Sequence, residues 1–104
     1  MGTPPSTPAQ VQAFLGAHPR WALEDGKLTR TFEAQSFVAA IRFVDEVARL
    51  AEAADHHPDL DIRWKRVTLR FATHDAGGQV TALDTRLAGE CDLLFDAAPW
   101  LARN

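Results

Sequence analysis

Apolar residues recur at three- and four-residue spacing from about residue 34 to 54. Phe37, Ile41, Val44, Ala48 and Ala51 line one helical stripe there, and Phe43, Val47 and Leu50 widen it. Arg42, Asp45, Glu46, Arg49 and Glu52 fill the opposite side, with Asp45 and Arg49 one turn apart, and read as a solvated face. Pro58 forbids continuation of this helix and pushes His57 toward an extended conformation. The period then changes to two. Leu60, Ile62 and Trp64 alternate, and Val67, Leu69 and Phe71 alternate on the opposite parity. One straight strand cannot keep both sets on one face. A turn or bulge at Lys65-Arg66 resolves the conflict and predicts two strands, about 60–64 and 67–73. The run His74-Asp75-Ala76-Gly77-Gly78 reads as a loop.

The flanks complete the order. Trp21 to Leu23 and Lys27 to Phe32 read as strands joined by Asp25-Gly26, which supplies the positive φ of a tight hairpin. Leu28, Arg30 and Phe32 share a face, so Arg30 needs a rim, a partner or solvent. Pro4, Pro5, Ser6 and Thr7 mark residues 1–7 as a flexible N-terminus. Thr7 caps a short helix with Pro8 at its first position, an apolar face of Val11, Phe14 and Leu15, and an end at Pro19. Near the other end, Thr81 and Asp84 have capping-box spacing, with Asp in place of Glu or Gln. They open a last helix with the stripe Leu83, Leu87, Cys91 and Leu94, ended by Pro99. Helix, strand, strand, helix, strand, strand, helix predicts an α+β domain over residues 8–104. It is a four-stranded antiparallel sheet with helices packed on one face.

Composition narrows the classes. The chain has 104 residues, 46% hydrophobic and 24% charged, an ordinary globular balance for one small domain. A net charge of -3 argues against a broad electrostatic grip on nucleic acid. No apolar run approaches a membrane span, and the first residues lack a signal-peptide layout, so a cytoplasmic setting is expected. The single cysteine, Cys91, excludes an internal disulfide and a Cys-rich zinc site; on the apolar face of a helix it reads as buried filling. A core this small favours oligomerisation.

Candidate chemistry concentrates in three histidines. His56 and His57 sit where the long helix meets Pro58, and His74 sits just past the fourth strand. Elements this short can bring both places into one cleft, and imidazoles titrate near neutrality, which suits proton transfer in both directions. Glu52, one helical turn before His56, is placed to orient its ring. Asp55 precedes the pair, and Asp75 and Asp84 lie near the far histidine. Blander readings stand beside these. A histidine at a helix C-terminus is favoured by the helix dipole alone. His18 reads as exposed, Asp84 as a helix cap, and Trp21 and Trp64 as core or rim anchors or as walls of a flat-ligand pocket. Three histidines with carboxylates are also a metal-site composition, but no His-Glu-x-x-His pattern is present, and the expectation is no metal.

The run Glu52-Ala-Ala-Asp55-His56-His57-Pro58, followed by Trp64, Val67, Thr73-His74-Asp75, Asp84 and Leu87-Ala88, resembles the pterin-4a-carbinolamine dehydratases. Trp21, the Gly26 turn, Phe32 and Phe37 extend the resemblance from about residue 21 to 95. It implies an α+β fold with a four-stranded antiparallel sheet, assembly as dimers or tetramers, and no metal or organic cofactor. It also implies dehydration of a 4a-hydroxytetrahydropterin to a quinonoid dihydropterin, which recycles the pterin of aromatic amino-acid hydroxylases. By the same resemblance His56, His57 and His74 are the active-site histidines, and Asp84 and Glu52 belong to the pocket. The loop from Asp75 to Asp84 is a residue longer than in animal members. Relatives that keep the fold but have lost the histidines are assembly chaperones of Rubisco, so a non-catalytic binding module is the alternative. The intact histidines favour the enzyme. Nothing in the sequence supports the transcription-cofactor role of animal members.

Overall fold

In the computed structural model, which describes residues 2–98, α1 (Pro8–Ala17) precedes β1 (Ala22–Glu24) and β2 (Lys27–Glu33). Then come α2 (Phe37–Ala54), β3 (Asp59–Arg63), β4 (Arg66–Phe71), a short 3-10 turn at His74–Ala76, and α3 (Ala82–Ala97). The strands form one antiparallel sheet in the order β1-β2-β4-β3. The order of elements along the chain is the expected α+β one. Pro99, expected to end the last helix, lies outside the described residues.

Alternation sorts the sheet into two faces. Leu28, Arg30 and Phe32 of β2 lie opposite Phe71, Leu69 and Val67 of β4, and all six are buried under α2 and α3. The other face carries Lys27, Thr31, Asp59, Arg66 and Arg70, and the main helix packing of the described residues, from α2 and α3, is on the first face. The rings of Phe32, Phe43 and Phe95 meet in the core at centroid distances of 4.8 to 5.2 Å, with tilted or edge-on geometry that adds to their area burial.

Three expectations about these elements need correction. The long helix begins at Phe37, capped by the Ser36 hydroxyl, because Ala34 is held by the sheet through its N–H to the Lys65 carbonyl (2.9 Å). The buried side of α2 is Ala39, Ala40, Phe43, Val47 and Ala51; Phe37 is 51% exposed and Ala48 is exposed, while Ile41 and Val44 are half-buried. The turn between β3 and β4 is Trp64-Lys65 rather than Lys65-Arg66, since Arg66 pairs with Arg63. Trp64 takes a left-handed φ of 55° there and is 69% exposed.

Arg30 finds its partner across the core. Its guanidinium lies 3.9 Å from the Phe32 ring centroid and donates to Asp92 of α3. The same carboxylate takes the Trp21 indole N–H (2.8 Å) and bonds His18 Nδ1 (3.0 Å). His18 is therefore not the free surface histidine expected. It stacks on Phe14 with centroids 4.4 Å apart and ties the end of α1 to α3. The N-terminal segment also contacts the residues that lead into α3, through Ser6 N–H to the Val80 carbonyl (2.8 Å) and a bridge of Pro5 to Thr81. No helix among the described residues is long and apolar enough to cross a membrane.

Candidate active site

The end of α2 places the first two histidines. Asp55 takes the left-handed conformation (φ 48°, ψ 45°), which Asp tolerates better than most side chains. The His56 N–H reaches back to the Ala51 carbonyl (3.0 Å) and the Asp55 N–H to the Glu52 carbonyl (3.2 Å), a Schellman closure. The reversal sends His56 inward, where it is 8% exposed, and leaves His57 exposed. His74 arrives from the other side. Beyond β4, Thr73 pairs with Gln79, and the chain between them doubles back through Gly77 (φ 70°) and Gly78 (φ 81°). Both positions favour glycine for that reason. The loop holds an exposed His74 beside the end of α2.

Behind His56 lies a buried polar network. His56 Nε2 meets Asp84 Oδ1 at 2.5 Å. Asp84 Oδ2 accepts the Thr73 hydroxyl (2.7 Å) and the Thr81 N–H (2.8 Å), and the hydroxyls of Thr73 and Thr81 are 2.6 Å apart. Asp84 and Thr81 have no exposed surface. Asp84 is thus both the partner of the N-cap Thr81 in the capping box of α3 and the anchor of His56; the cap reading was right and incomplete. Glu52 serves a different ring from the one expected. Its carboxylate meets His57 Nε2 at 2.5 Å, on the surface, because the Schellman reversal turns His56 away from the outer side of α2.

Two adjoining cavities share His57, Ala72 and His74. The larger, about 300 Å³, is walled also by Asp55, His56, Thr73, Asp75 and Leu83. The smaller, about 190 Å³, opens toward the face of the sheet away from α2 and α3 and takes Lys27, Asp59, Arg70 and Gly78. Of the residues singled out in the sequence, His56, His57, His74, Asp55, Thr73 and Asp75 meet around this cleft. Asp84 supports it from behind and Glu52 from the side. Trp64 is not brought there. It terminates β3 at the end away from His57, and five strand residues at about 3.3 Å each separate the two. No group of three or more His, Cys, Asp or Glu among the described residues is arranged to hold a metal ion. Sequence reasoning missed Thr81, Lys27 and Arg70. Capping-box spacing named Thr81 for its backbone role only, and nothing in the pattern separates a cleft arginine from a solvated one.

A cleft with three imidazoles, one of them fixed by a buried carboxylate, can deliver and remove protons on both sides of a small flat molecule. The family model for pterin 4 alpha carbinolamine dehydratase matches residues 4–94. A protein of Chloroflexus aurantiacus assigned as a pterin-4-alpha-carbinolamine dehydratase is 51% identical over 84 residues, covering 81% of this chain and 89% of that protein. A Picosynechococcus protein with the same assignment is 46% identical over 88 residues, covering 85% and 95%. The crystal structure of a transcriptional coactivator/pterin dehydratase from Brucella melitensis superposes with a TM-score of 0.80 at 32% identity, covering 86% of this chain and 97% of that one.

Proposed function

Because the chain belongs to the pterin-4a-carbinolamine dehydratase family, we propose that it dehydrates a 4a-hydroxytetrahydropterin by histidine acid–base catalysis. The observation that carries this reading is the convergence of His56, His57 and His74 on one cleft, with Asp84 bonded to the ring of His56. One group protonates the departing 4a-hydroxyl, and the C4a–O bond breaks with its electron pair leaving in water. A second group removes the N5 proton, and the N5=C4a double bond of the quinonoid dihydropterin forms. His56 and His74 make this pair. Nε2 of His56 is committed to Asp84, so Nδ1 is the nitrogen left for substrate. His57, steadied by Glu52, orients the pterin ring. Each proton-transfer group is worth about 10²–10⁴-fold, and neither step calls for a metal or an organic cofactor.

The substrate arises where a tetrahydropterin has served an oxygenase, so an aromatic amino-acid hydroxylase is the natural source. The working form is a homo-oligomer. Its support is the uncovered apolar edge formed by Leu60 and Ile62 on β3. The test of function is dehydration of a freshly prepared 4a-hydroxytetrahydropterin, followed by stopped-flow absorbance with and without protein. Acceleration well above the spontaneous rate, surviving exhaustive chelation, is the expected result. A rate equal to the spontaneous one overturns the reading in favour of a binding module. Loss on chelation with recovery on adding zinc overturns its metal independence.

A further inference from the structure

The two compartments of the cleft differ in charge. Asp55 and Asp75 stand on the larger one, with no lysine or arginine among the described residues that line it. The smaller one carries Lys27 and Arg70, and its single carboxylate, Asp59, is paired with Lys27 Nζ at 3.1 Å. Arg70 sits on β4 between Thr29 of β2 and Asp59 of β3 in the register of the sheet. It is half-buried, and its guanidinium makes no hydrogen bond or ion pair with any of the described residues. A partly desolvated guanidinium left unpaired in a cavity is a standing site for a carboxylate or phosphate oxygen.

On the dehydratase reading, the shared wall of His57 and His74 fixes how a substrate lies. The pterin ring carries amino and amide donors, which suit the carboxylates of the larger compartment. Its C6 substituent then points past His57 and His74 into the smaller one. We propose that this second compartment is a subsite for an anionic side chain of the pterin, with Arg70 binding the anion and Lys27 adding charge. At about 30 Å³ per water, its volume of about 190 Å³ has room for about six waters, enough for a short chain ending in phosphate or carboxylate. A neutral side chain would leave Arg70 unpaired and so gain nothing from it. The subsite is therefore a specificity device added to the acid–base machinery, built on the outer face of the sheet.

The experiment compares 4a-hydroxytetrahydropterins that share one ring and differ in the C6 chain: a neutral polyol, its terminal phosphate ester, and a carboxylate of similar length. Either anionic substrate should exceed the neutral one in kcat/KM by about tenfold or more, chiefly through KM, with the advantage shrinking as salt rises. The phosphate and carboxylate arms say which anion fits. Arg70→Gln should bring the ratio of anionic to neutral kcat/KM toward one, Lys27→Gln should lower it partly, and Arg70→Lys should restore part of it. Equal kcat/KM for all three substrates, or an Arg70→Gln variant that lowers all three alike, overturns the subsite. Binding of the stable 7,8-dihydropterins bearing the same three side chains, followed by tryptophan fluorescence, reads the preference without turnover. If no carbinolamine is dehydrated but the anionic dihydropterins bind more tightly, the dehydratase reading fails and the subsite stands. If turnover occurs and the three dihydropterins bind equally, the reverse holds.

Discussion

The hydrogen bonds behind His56 run in one direction. Leu83 N–H donates to Thr81 Oγ (3.2 Å), so the Thr81 hydroxyl is free to donate to Thr73 Oγ, and the Thr73 hydroxyl donates to Asp84 Oδ2. As a carboxylate Asp84 accepts at both oxygens, and His56 Nε2 then carries its hydrogen, which fixes the tautomer of a ring otherwise able to take either. His74 has no such support; it is exposed and makes no side-chain hydrogen bond among the described residues. The two histidines should therefore respond differently to removal. His74→Ala should slow dehydration by on the order of 10²-fold or more while shifting stability by no more than about 0.5 kcal/mol. His56→Ala should slow the reaction similarly and also cost about 1–3 kcal/mol, because it strips a buried carboxylate of a donor. Urea titrations beside stopped-flow rates test both. Equal stability of the two variants would mean that the Asp84 contact contributes nothing to the fold.

At the scale of elements, order and type were legible from period and punctuation alone: Pro58, Asp25-Gly26 and the parity change between Ile62 and Val67 each forced a boundary. The rotation of α2 was not. Its stripe is wide, because Phe37, Ile41 and Val44 compete with Phe43, Val47 and Ala51, and only packing against the sheet decides between them. Phe43→Ala should thus cost about 3–5 kcal/mol, and Phe37→Ala less than about 1 kcal/mol in the isolated chain. Similar losses in urea melts of dilute protein would contradict the rotation. The histidines of the site were legible because they follow helix and strand ends. Arg70 and Thr81 were not, since their roles depend on what folds against them. Cys91 was read correctly as filling, and α3 gives that reading a consequence. Burial, with smaller effects from Asp92 and Glu90, pushes its thiol from 9.0 up to about 12. The folded state keeps a proton that the unfolded state gives up, so this contribution is whole below pH 9 and is lost as pH rises from 9 toward 12. The stability of the wild type should fall faster over that interval than that of Cys91→Ala, as measured by denaturant titrations at each pH. Parallel slopes would show that the thiol titrates freely.

For the whole molecule, the feature that demands an explanation is the edge at β3. The helices cover β2 and β4, and β3 beyond them keeps Leu60 at 43% and Ile62 at 38% exposure, with the outer hydrogen-bonding groups of the strand unpaired within the sheet. An exposed apolar edge is an invitation to association, and natural sheets cover it or spoil it with charge. Here the charges are self-complementary. If two copies of β3 pair antiparallel about a twofold axis at Asp61, Asp59 of each faces Arg63 of the other and Leu60 faces Ile62. Two attractive pairs then flank one repulsive contact between the aspartates, and each Asp61 already has Arg63 Nε at 3.3 Å within its own chain. Phe37 and Val38, exposed on α2, offer further apolar area on the helix side of the molecule. Light scattering at micromolar concentration should accordingly give at least twice the 11.5 kDa chain mass. Ile62→Lys should lower that mass, because a buried unpaired cation on each copy costs far more than the apolar contact it replaces. Arg63→Asp should weaken assembly less, and Arg63→Asp combined with Asp59→Arg should restore it by re-forming both cross-pairs. Circular dichroism separates dissociation from unfolding, since Ile62 lies on an edge strand and its replacement leaves the Phe32, Phe43 and Phe95 cluster untouched. A wild-type chain that stays monomeric, or a charge-swapped double variant no better than the single one, would leave the β3 edge without a partner copy.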